Sequence, residues 1–347
     1  MSELVLSIVV AAFNVEKFIE RCVTSIGNQT IDRRIEILVV NDGSRDRTGE
    51  ILRGLVTHGE VRLRVIHQAN CGVGAARNVG LESASGRYVW FVDGDDYVES
   101  GSVDKLLEVL VRNDPDVAVI DFSCADEAGL PIEWIRSPLT QDAGVIMQGG
   151  AFFARHFATT YTCMYVVKRS LLVDHDLRFQ PRIKMQDAEL IPRILSVADT
   201  VLISRINAYV YVKRAGSYMN STDPVAREES FQSVLEVRRR LEAFRHDVAD
   251  QNMLAGLAAK MGSIRRILLL AFVYDEIDRS SLRNRLDLLK ADGVYPFVPW
   301  QDETVKESLI RSAVNLCPIL FPPLFRSFRK AFNVLRAPRK SLARGKS

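Results

Sequence analysis

A chain of 347 residues, 47% hydrophobic and 26% charged, has the length and ordinary globular composition to bury a large core, which excludes a disordered or fibrous polymer. The net charge of +3 is a local excess: residues 318–347 hold eight Lys/Arg and no acid, leaving 38 basic against 43 acidic residues elsewhere. Five scattered cysteines without a CxxC or Cys/His cluster argue against a disulfide scaffold or zinc module and fit reduced thiols in a cytosolic protein.

Leu4 to Phe13 is apolar but has no basic leader and no small-residue cleavage site, so it does not read as a signal peptide. It is too short to span a bilayer, as are Ile267 to Val273 and Ala313 to Phe325. The unbroken run from Leu6 to Phe13 predicts a strand covered on both faces. Asn14 is placed to cap a helix in which Phe18, Ile19, Cys22, Val23 and Ile26 recur at helical spacing. Glu36 to Val40 is a second buried strand, closed by Asn41-Asp42-Gly43-Ser44, and Asp46 can cap a helix through Val56. Val61 to His67 is a third strand, followed by a Gly-containing loop and a helix through about Ala84. Arg87 to Val92 is the fourth, Val103 to Val111 a helix, and Asp116 to Phe122 the fifth strand.

This alternation predicts an α/β domain with a mostly parallel central sheet and helices on both faces. Further on, Ala151 to Thr159 and Asp187 to Val197 read as helices, and Thr200 to Ile206 and Tyr209 to Val212 as strands. After Gly216 the strand patterns stop. Arg227 to Arg245, Leu254 to Phe272, Ser281 to Leu289 and Thr304 to Leu316 read as helices. The Gly/Ser/Asn/Asp/Pro-rich stretch from Gly216 to Pro224 marks a boundary. The expected organisation is a domain over 1–215 and a helical region over 216–347, with a basic amphipathic tail over 318–347.

The chemistry concentrates at strand ends. Asp93-Gly94-Asp95-Asp96 follows the apolar run Tyr88 to Val92, so charge is carried to the carboxyl end of a buried strand, where open α/β sheets bind ligands. Clustered carboxylates repel unless a cation lies between them, and a divalent metal on a diphosphate fills that role. A helix N-terminus lined with acids is the structural alternative for this run, a turn cap is that for Asp42, and core packing is that for Phe13. Gly72-Val73-Gly74 imitates part of a dinucleotide fingerprint, but Arg77 replaces its third Gly and the segment follows the third strand rather than the first. The five histidines are dispersed without metal-ligand spacing.

Taken in order, Phe13-Asn14, Asn41-Asp42-Gly43-Ser44, Asn70 to Gly80 and Asp93-Gly94-Asp95 resemble the inverting nucleotide-sugar glycosyltransferases of family 2, which have the GT-A fold. The resemblance covers roughly residues 4–215. It implies that Phe13 packs on the nucleobase, with Asn14 beside it, and that Asp42 hydrogen-bonds the base, commonly uracil. Asp93-Gly94-Asp95 matches the DxD motif, with Asp95 binding Mn²⁺ or Mg²⁺ and Asp93 contacting the ribose or the metal shell. Arg77-Asn78-Val79-Gly80 is similar to the family's Arg-Asn-x-Gly stretch near the donor. Asp187, in Lys184-Met185-Gln186-Asp187-Ala188-Glu189, resembles the family's general base, although Gln186 replaces the Glu that usually precedes it; Glu189 is the fallback. Tyr209 to Arg214 followed by Gly216-Ser217 resembles the aromatic-basic strand and loop near the diphosphate, where Lys213 or Arg214 can close over the phosphates.

The reading is a metal-dependent inverting glycosyltransferase of the hexosyltransferase class. It takes a UDP-sugar as donor and a hydroxyl of a cell-envelope glycan or lipid-linked saccharide as acceptor. The expected location is cytoplasmic, peripheral on the inner membrane face if the tail meets anionic lipid, with no nucleic-acid partner. Alternatives are a nucleotidyltransferase, against which the absence of a Gly-rich basic loop after the first strand counts, and a catalytically silent nucleotide-sugar-binding module, which Gln186 favours.

Overall fold

A computed structural model describes residues 3–28, 34–55, 61–133, 139, 142–214 and 223–327. The first half builds strands β1 (Leu6–Ala12), β2 (Ile35–Asp42), β3 (Arg62–Gln68) and β4 (Tyr88–Asp93). Between them run helices α1 (Ile19–Gly27), α2 (Thr48–Gly54) and α3 (Val73–Ser83). Next come β5 (Tyr97–Val98), α4 (Ser102–Asn113), β6 (Val117–Asp126), β7 (Ile146–Met147), α5 (Gly149–His156), β8 (Tyr165–Lys168), α6 (Arg169–Asp174), α7 (Gln186–Ser196) and β9 (Val201–Lys213). Four helices complete the named elements: α8 (Pro224–His246), α9 (Gln251–Tyr274), α10 (Arg279–Ala291) and α11 (Val305–Leu316).

The nine strands form one sheet in the order β3-β2-β1-β4-β8-β6-β9-β5, with β7 paired to β9. β3, β2, β1 and β4 run parallel, whereas β8 is antiparallel to both β4 and β6. Apolar residues on both sides of each central strand explain the unbroken hydrophobic runs. Ile8, Val10, Ile37, Val39, Trp90 and Val92 join one core with residues of α1, α2 and α4. Ala11 and Val40 meet Ala76 of α3 in a second cluster. A strand buried on both faces cannot alternate polar and apolar residues.

Topology fixes where a ligand can lie. The chain moves from β1 outward to β2 and β3, then returns to the other side of β1 as β4. The carboxyl ends of β1 and β4 therefore flank the point where strand order reverses, which is where open α/β sheets leave a crevice. Ala11 pairs with Asp93 across this point, and Ala12 pairs with Asn41 on the other side.

Three local expectations need correction. Asn14 is not a helix cap: it sits at φ 51°, its amide N–H donates to Ser44 Oγ (3.0 Å), and its Oδ1 accepts from Arg45 N (2.8 Å). It ties the end of β1 to the β2–α2 turn, while Phe18 occupies the cap position of α1 without a side-chain bond. Thr200 to Ile206 and Tyr209 to Val212 fall on one strand, β9, which carries extra residues opposite Asp121 of β6 and so shifts register there. The strand over Val117–Asp126 is the sixth in chain order, because the two-residue β5 precedes it. Asp46 does lead into α2, accepting from Thr48 N (3.0 Å) and Glu16 N (3.1 Å); Val56, the expected end of that helix, lies outside the described residues.

By contacts the chain divides into two units, one of Met1–Ser221 with Glu236–Lys260 and the other of Thr222–Leu235 with Met261–Ser347. Most of the Gly216–Pro224 stretch lies outside the described residues, as do residues 328–347 of the basic tail. Within the second unit Arg285 is fully buried, donating to Glu228 (2.8 Å) and Asp275 (2.8 Å) with its guanidinium 4.3 Å from the centre of the Phe231 ring. There α10 is capped by Asp278, and α11 by a capping box of Thr304 and Glu307. Among the described residues no helix is long and apolar enough to cross a membrane.

Candidate active site

β4 delivers Asp93 to the sheet edge, and the next two residues turn sharply back toward β1. Gly94 N donates to Ala11 O (2.9 Å), and a Cβ at Gly94 would stand 2.9 Å from that same oxygen. Glycine is required by this approach, since a side chain would push the two flanking carboxylates off the edge of β1. Asp96 is drawn inward, 2% exposed, accepting from Tyr209 Oη and from Val212 N (2.7 Å). Of the three acids, Asp96 thus fastens the turn to β9, leaving Asp93 and Asp95 as the partly exposed pair.

Each of that pair meets an arginine. Arg77 Nη2 of α3 lies 2.5 Å from Asp93 Oδ1, and Arg214 Nη2 lies 2.6 Å from Asp95 Oδ2. Burial, reinforced by the Asp93 charge, raises the Asp95 carboxyl above its ordinary range, while Arg214 pulls it back. Two oxygen-donor side chains with mutually repelling charge suit a hard divalent cation such as Mg²⁺ or Mn²⁺. Among the described residues no group of three or more His, Cys, Asp or Glu could hold a metal ion, so Asp93 and Asp95 are at most a two-carboxylate contribution to a cation's shell.

Asp42, at the end of β2, is 2% exposed. Its Oδ1 accepts from Gln68 Nε2 (2.7 Å) and Cys71 N (2.9 Å), and its Oδ2 from Gly72 N (2.8 Å). The carboxylate thereby shapes the loop that leads into α3. Phe13, by contrast, is 44% exposed at the end of β1, unusual for a large aromatic next to a buried strand.

α3 connects this edge to Asp187. Arg77, 7% exposed, also lies 5.2 Å from the centre of the Phe179 ring. Burial works most strongly against its charge, but the charge and hydrogen bond of Asp93, with Asp187 and Tyr209 behind them, together raise it above its ordinary value. Asn78 Nδ2 donates to Phe179 O (2.8 Å) and Phe179 N donates back to Asn78 Oδ1 (2.9 Å). That reciprocal pair pins the segment running into α7, which opens with Gln186 and Asp187.

Asp187 is partly buried, and its Oδ1 accepts from Ala188 N (2.8 Å). Burial raises its carboxyl, opposed first by Lys260 and then by Arg77. Gln186 is 5% exposed, and its Oε1 would lie 2.1 Å from a Cβ at Gly74. A Glu here would place a second buried negative charge beside Asp187, which the neutral amide avoids. Glu189 turns elsewhere, paired with Arg193 (3.1 Å).

The structure thus brings Asp93, Asp95, Arg77 and the electrostatic reach of Asp187 to one edge, with Phe13 and Asp42 at the neighbouring strand ends. Sequence reading missed Asn78 as the fastener of the Asp187 segment, Tyr209 as the anchor of Asp96, and Lys260. No local signal marks Lys260, which arrives from a helix more than seventy residues after Asp187. A shallow groove of about 710 Å³ lined by Asn41, Ser44, Asp46 and His67, among others, opens beside the β2–α2 turn and contains neither Asp93, Asp95 nor Asp187.

Comparison with known proteins supplies the kinship. Residues 7–172 match the family described as Glycosyl transferase family 2. The uncharacterized glycosyltransferase EpsJ of Bacillus subtilis is 47% identical over 116 residues, 33% of this chain and 33% of EpsJ. The chain therefore spans about a third of that relative's length. Glycosyltransferase GlyG of Streptococcus pneumoniae is 28% identical over 278 residues, 78% of this chain and 87% of GlyG. In fold, the chain is similar to Staphylococcus aureus TarS residues 1–349, solved with UDP-GlcNAc: TM-score 0.64 and 18% identity, covering 94% of this chain and 92% of that one. The architecture is the GT-A fold.

Proposed function

We propose that this chain, whose residues 7–172 match glycosyl transferase family 2, is an inverting, metal-dependent glycosyltransferase of that family that uses a UDP-sugar. The acceptor is a hydroxyl of a cell-envelope glycan or lipid-linked saccharide. Residues 1–215 form the catalytic domain and 216–347 a helical region ending in the basic tail. The observation that carries the reading is Arg77: it touches Asp93 and acts electrostatically on Asp187. One side chain thereby links the carboxylates suited to a nucleotide diphosphate with the carboxylate suited to a base. UDP-GlcNAc bound in the structurally similar TarS, and poly(ribitol-phosphate) in the name of TarS, support the choice of a UDP-sugar donor and a polymeric acceptor.

In this mechanism Phe13 stacks on the base, and Asp42 orders the loop of residues 70–72 beside it. Asp93 and Asp95 would hold a divalent cation, which when bound would supply Lewis-acid stabilisation of negative charge on the diphosphate. Arg77 and Arg214, already at this edge, supply further positive charge to the phosphate oxygens. Asp187 accepts the proton of the acceptor hydroxyl as its oxygen bonds to the anomeric carbon. The bond from that carbon to the phosphate oxygen breaks on the opposite face, and its electron pair leaves with UDP. A base with its carboxyl raised toward neutrality is better matched to this proton than an ordinary carboxylate.

The proposed location is the cytoplasmic membrane face. Val305, Leu309 and Leu316 are 80%, 67% and 82% exposed and fall on one side of α11. Leu320 and Leu324 are also exposed, and the eight cations of 318–347 follow without an acid. An apolar helix face continued by unopposed positive charge suits an anionic lipid surface.

A donor screen by thermal shift, with and without Mn²⁺, followed by UDP release from the donor that stabilises most, tests the reading. Metal-dependent stabilisation by a UDP-sugar with turnover is expected. Nucleotide binding without turnover across a donor and acceptor panel would instead establish a silent binding module.

A further inference from the structure

Arg77 and Arg214 both sit on carboxylates of the Asp93–Asp95 turn, but the two ion pairs are built differently. Arg77 Nη2 meets Asp93 Oδ1 at 2.5 Å, and the Arg77 side chain is only 9% exposed. It comes from the middle of α3, with its guanidinium also 5.2 Å from the centre of the Phe179 ring. Drawing it off Asp93 would leave a buried charge without its partner, which is strongly unfavourable. Arg214 Nη2 meets Asp95 Oδ2 at 2.6 Å, with its side chain 31% exposed. It stands one residue beyond the end of β9, and its guanidinium lies 5.7 Å from the centre of the Phe18 ring. An ion pair partly in water is a weak tie, and a long side chain at a strand end can leave it by changing rotamer.

Arg214 and a divalent ion would compete for Asp95. Mg²⁺ binds carboxylate oxygens at about 2.0–2.1 Å. Bringing such an ion to the oxygen that Arg214 already bonds sets like charges side by side. Asp95 has little freedom to turn aside, because its neighbours fix the backbone. Gly94 N donates to Ala11 O (2.9 Å), Asp96 N to Asp93 O (3.0 Å), and Val212 N to Asp96 Oδ1 (2.7 Å). Val212 is two residues before Arg214, so the bond that fixes the turn also fixes the point from which Arg214 reaches. Arg21, the other arginine beside Phe18, is engaged elsewhere: it lies over the Tyr97 ring (4.6 Å) and donates to Glu127 O (3.2 Å). A diphosphate relieves the competition, since its oxygens can ligate the ion and accept from a guanidinium at the same time.

We propose that Arg214 and the divalent ion exchange on Asp95: the arginine neutralises this carboxylate until a nucleoside diphosphate arrives, then moves to the phosphate oxygens and yields Asp95 Oδ2 to the ion. Ion and nucleotide are then taken up cooperatively, and the ion alone binds weakly. Arg77 does not exchange, because it is buried and fixed on Asp93. The inference rests on the reading of Asp93 and Asp95 as cation ligands.

The test is calorimetric titration of Mn²⁺ into the full chain, with and without saturating UDP, for the parent, R214M, R214Q and D95N. In the parent, UDP is expected to tighten Mn²⁺ binding, and by linkage Mn²⁺ tightens UDP binding by the same factor. R214M removes the competitor. Mn²⁺ alone is expected to bind it more tightly than the parent, by a factor within the roughly 5–150-fold usual for coupled sites, and the further gain from UDP to shrink. R214Q, which also lacks the charge, gives the same comparison should R214M not fold. Mn²⁺ alone binding the Arg214 variants no more tightly than the parent, beside a D95N that has lost Mn²⁺, overturns the exchange while leaving the cation site standing. A D95N that binds Mn²⁺ with UDP as the parent does overturns the cation-ligand reading itself.

Discussion

Replacing Asp187 by Asn removes a proton acceptor and very little else. Asn is nearly isosteric, and its Oδ1 can keep the hydrogen bond from Ala188 N that Asp187 accepts at 2.8 Å. The fastening of the preceding segment, through Asn78 and the Phe179 backbone, is untouched. Two electrostatic effects oppose each other: the buried carboxylate no longer needs to be ionised, but Lys260 and Arg77 lose a negative neighbour. Folding stability is therefore expected to change little. Asp93, Asp95, Asp42 and Phe13 stay in place, so nucleotide binding is retained. What is lost is general-base catalysis, about 10²–10⁴-fold in kcat, which corresponds to roughly 3–5 kcal/mol of barrier. The assay is UDP release from the preferred UDP-sugar with acceptor present, alongside calorimetric titration of UDP with Mn²⁺ into parent and variant. Turnover within threefold of the parent would refute the assignment of Asp187, and loss of UDP binding would show that the residue acts on the donor instead.

Other expectations follow from the same geometry. Because burial and Asp93 raise the Asp95 carboxyl, protons compete with a cation there as pH falls through that raised value; stabilisation by Mn²⁺ with UDP is expected to be larger at pH 7 than at pH 5, measured by thermal shift. Equal stabilisation at both pH values would place the cation elsewhere. Asn78→Ala removes two hydrogen bonds to the Phe179 backbone (2.8 and 2.9 Å), a cost of about 1–3 kcal/mol in denaturant unfolding. The Asp187 segment loosens with it, so kcat is expected to fall more than donor KM rises. Leu309→Glu on the exposed side of α11, and separately removal of 318–347, are expected to reduce sedimentation with vesicles containing anionic lipid while leaving UDP binding intact. Unchanged sedimentation in both would rule out the lipid surface.

Sequence alone determined the sheet and the kind of chemistry. Runs such as Ile8 to Ala12 and Tyr88 to Val92 are apolar because both faces of those strands are buried, and that pattern is local. Asp93-Gly94-Asp95 was legible for the same reason, as acids ending a buried run with a glycine between them; the close approach of Gly94 to Ala11 O supplies the cause of the glycine. Strands of two to four residues, such as β5, β7 and β8, were not legible, because they are too short to establish a period. Nor was the division of labour among the acids. Asp96 is indistinguishable from Asp95 in the sequence, and only the return of β9 past the end of β4 turns one inward onto Tyr209 and leaves the other at the edge. The environment of Asp187 is likewise a tertiary property. Arg77, Asn78 and Lys260 reach it or its approach from elements far apart in the chain, and the field of a buried charge depends on distance through space, which no spacing along the sequence encodes.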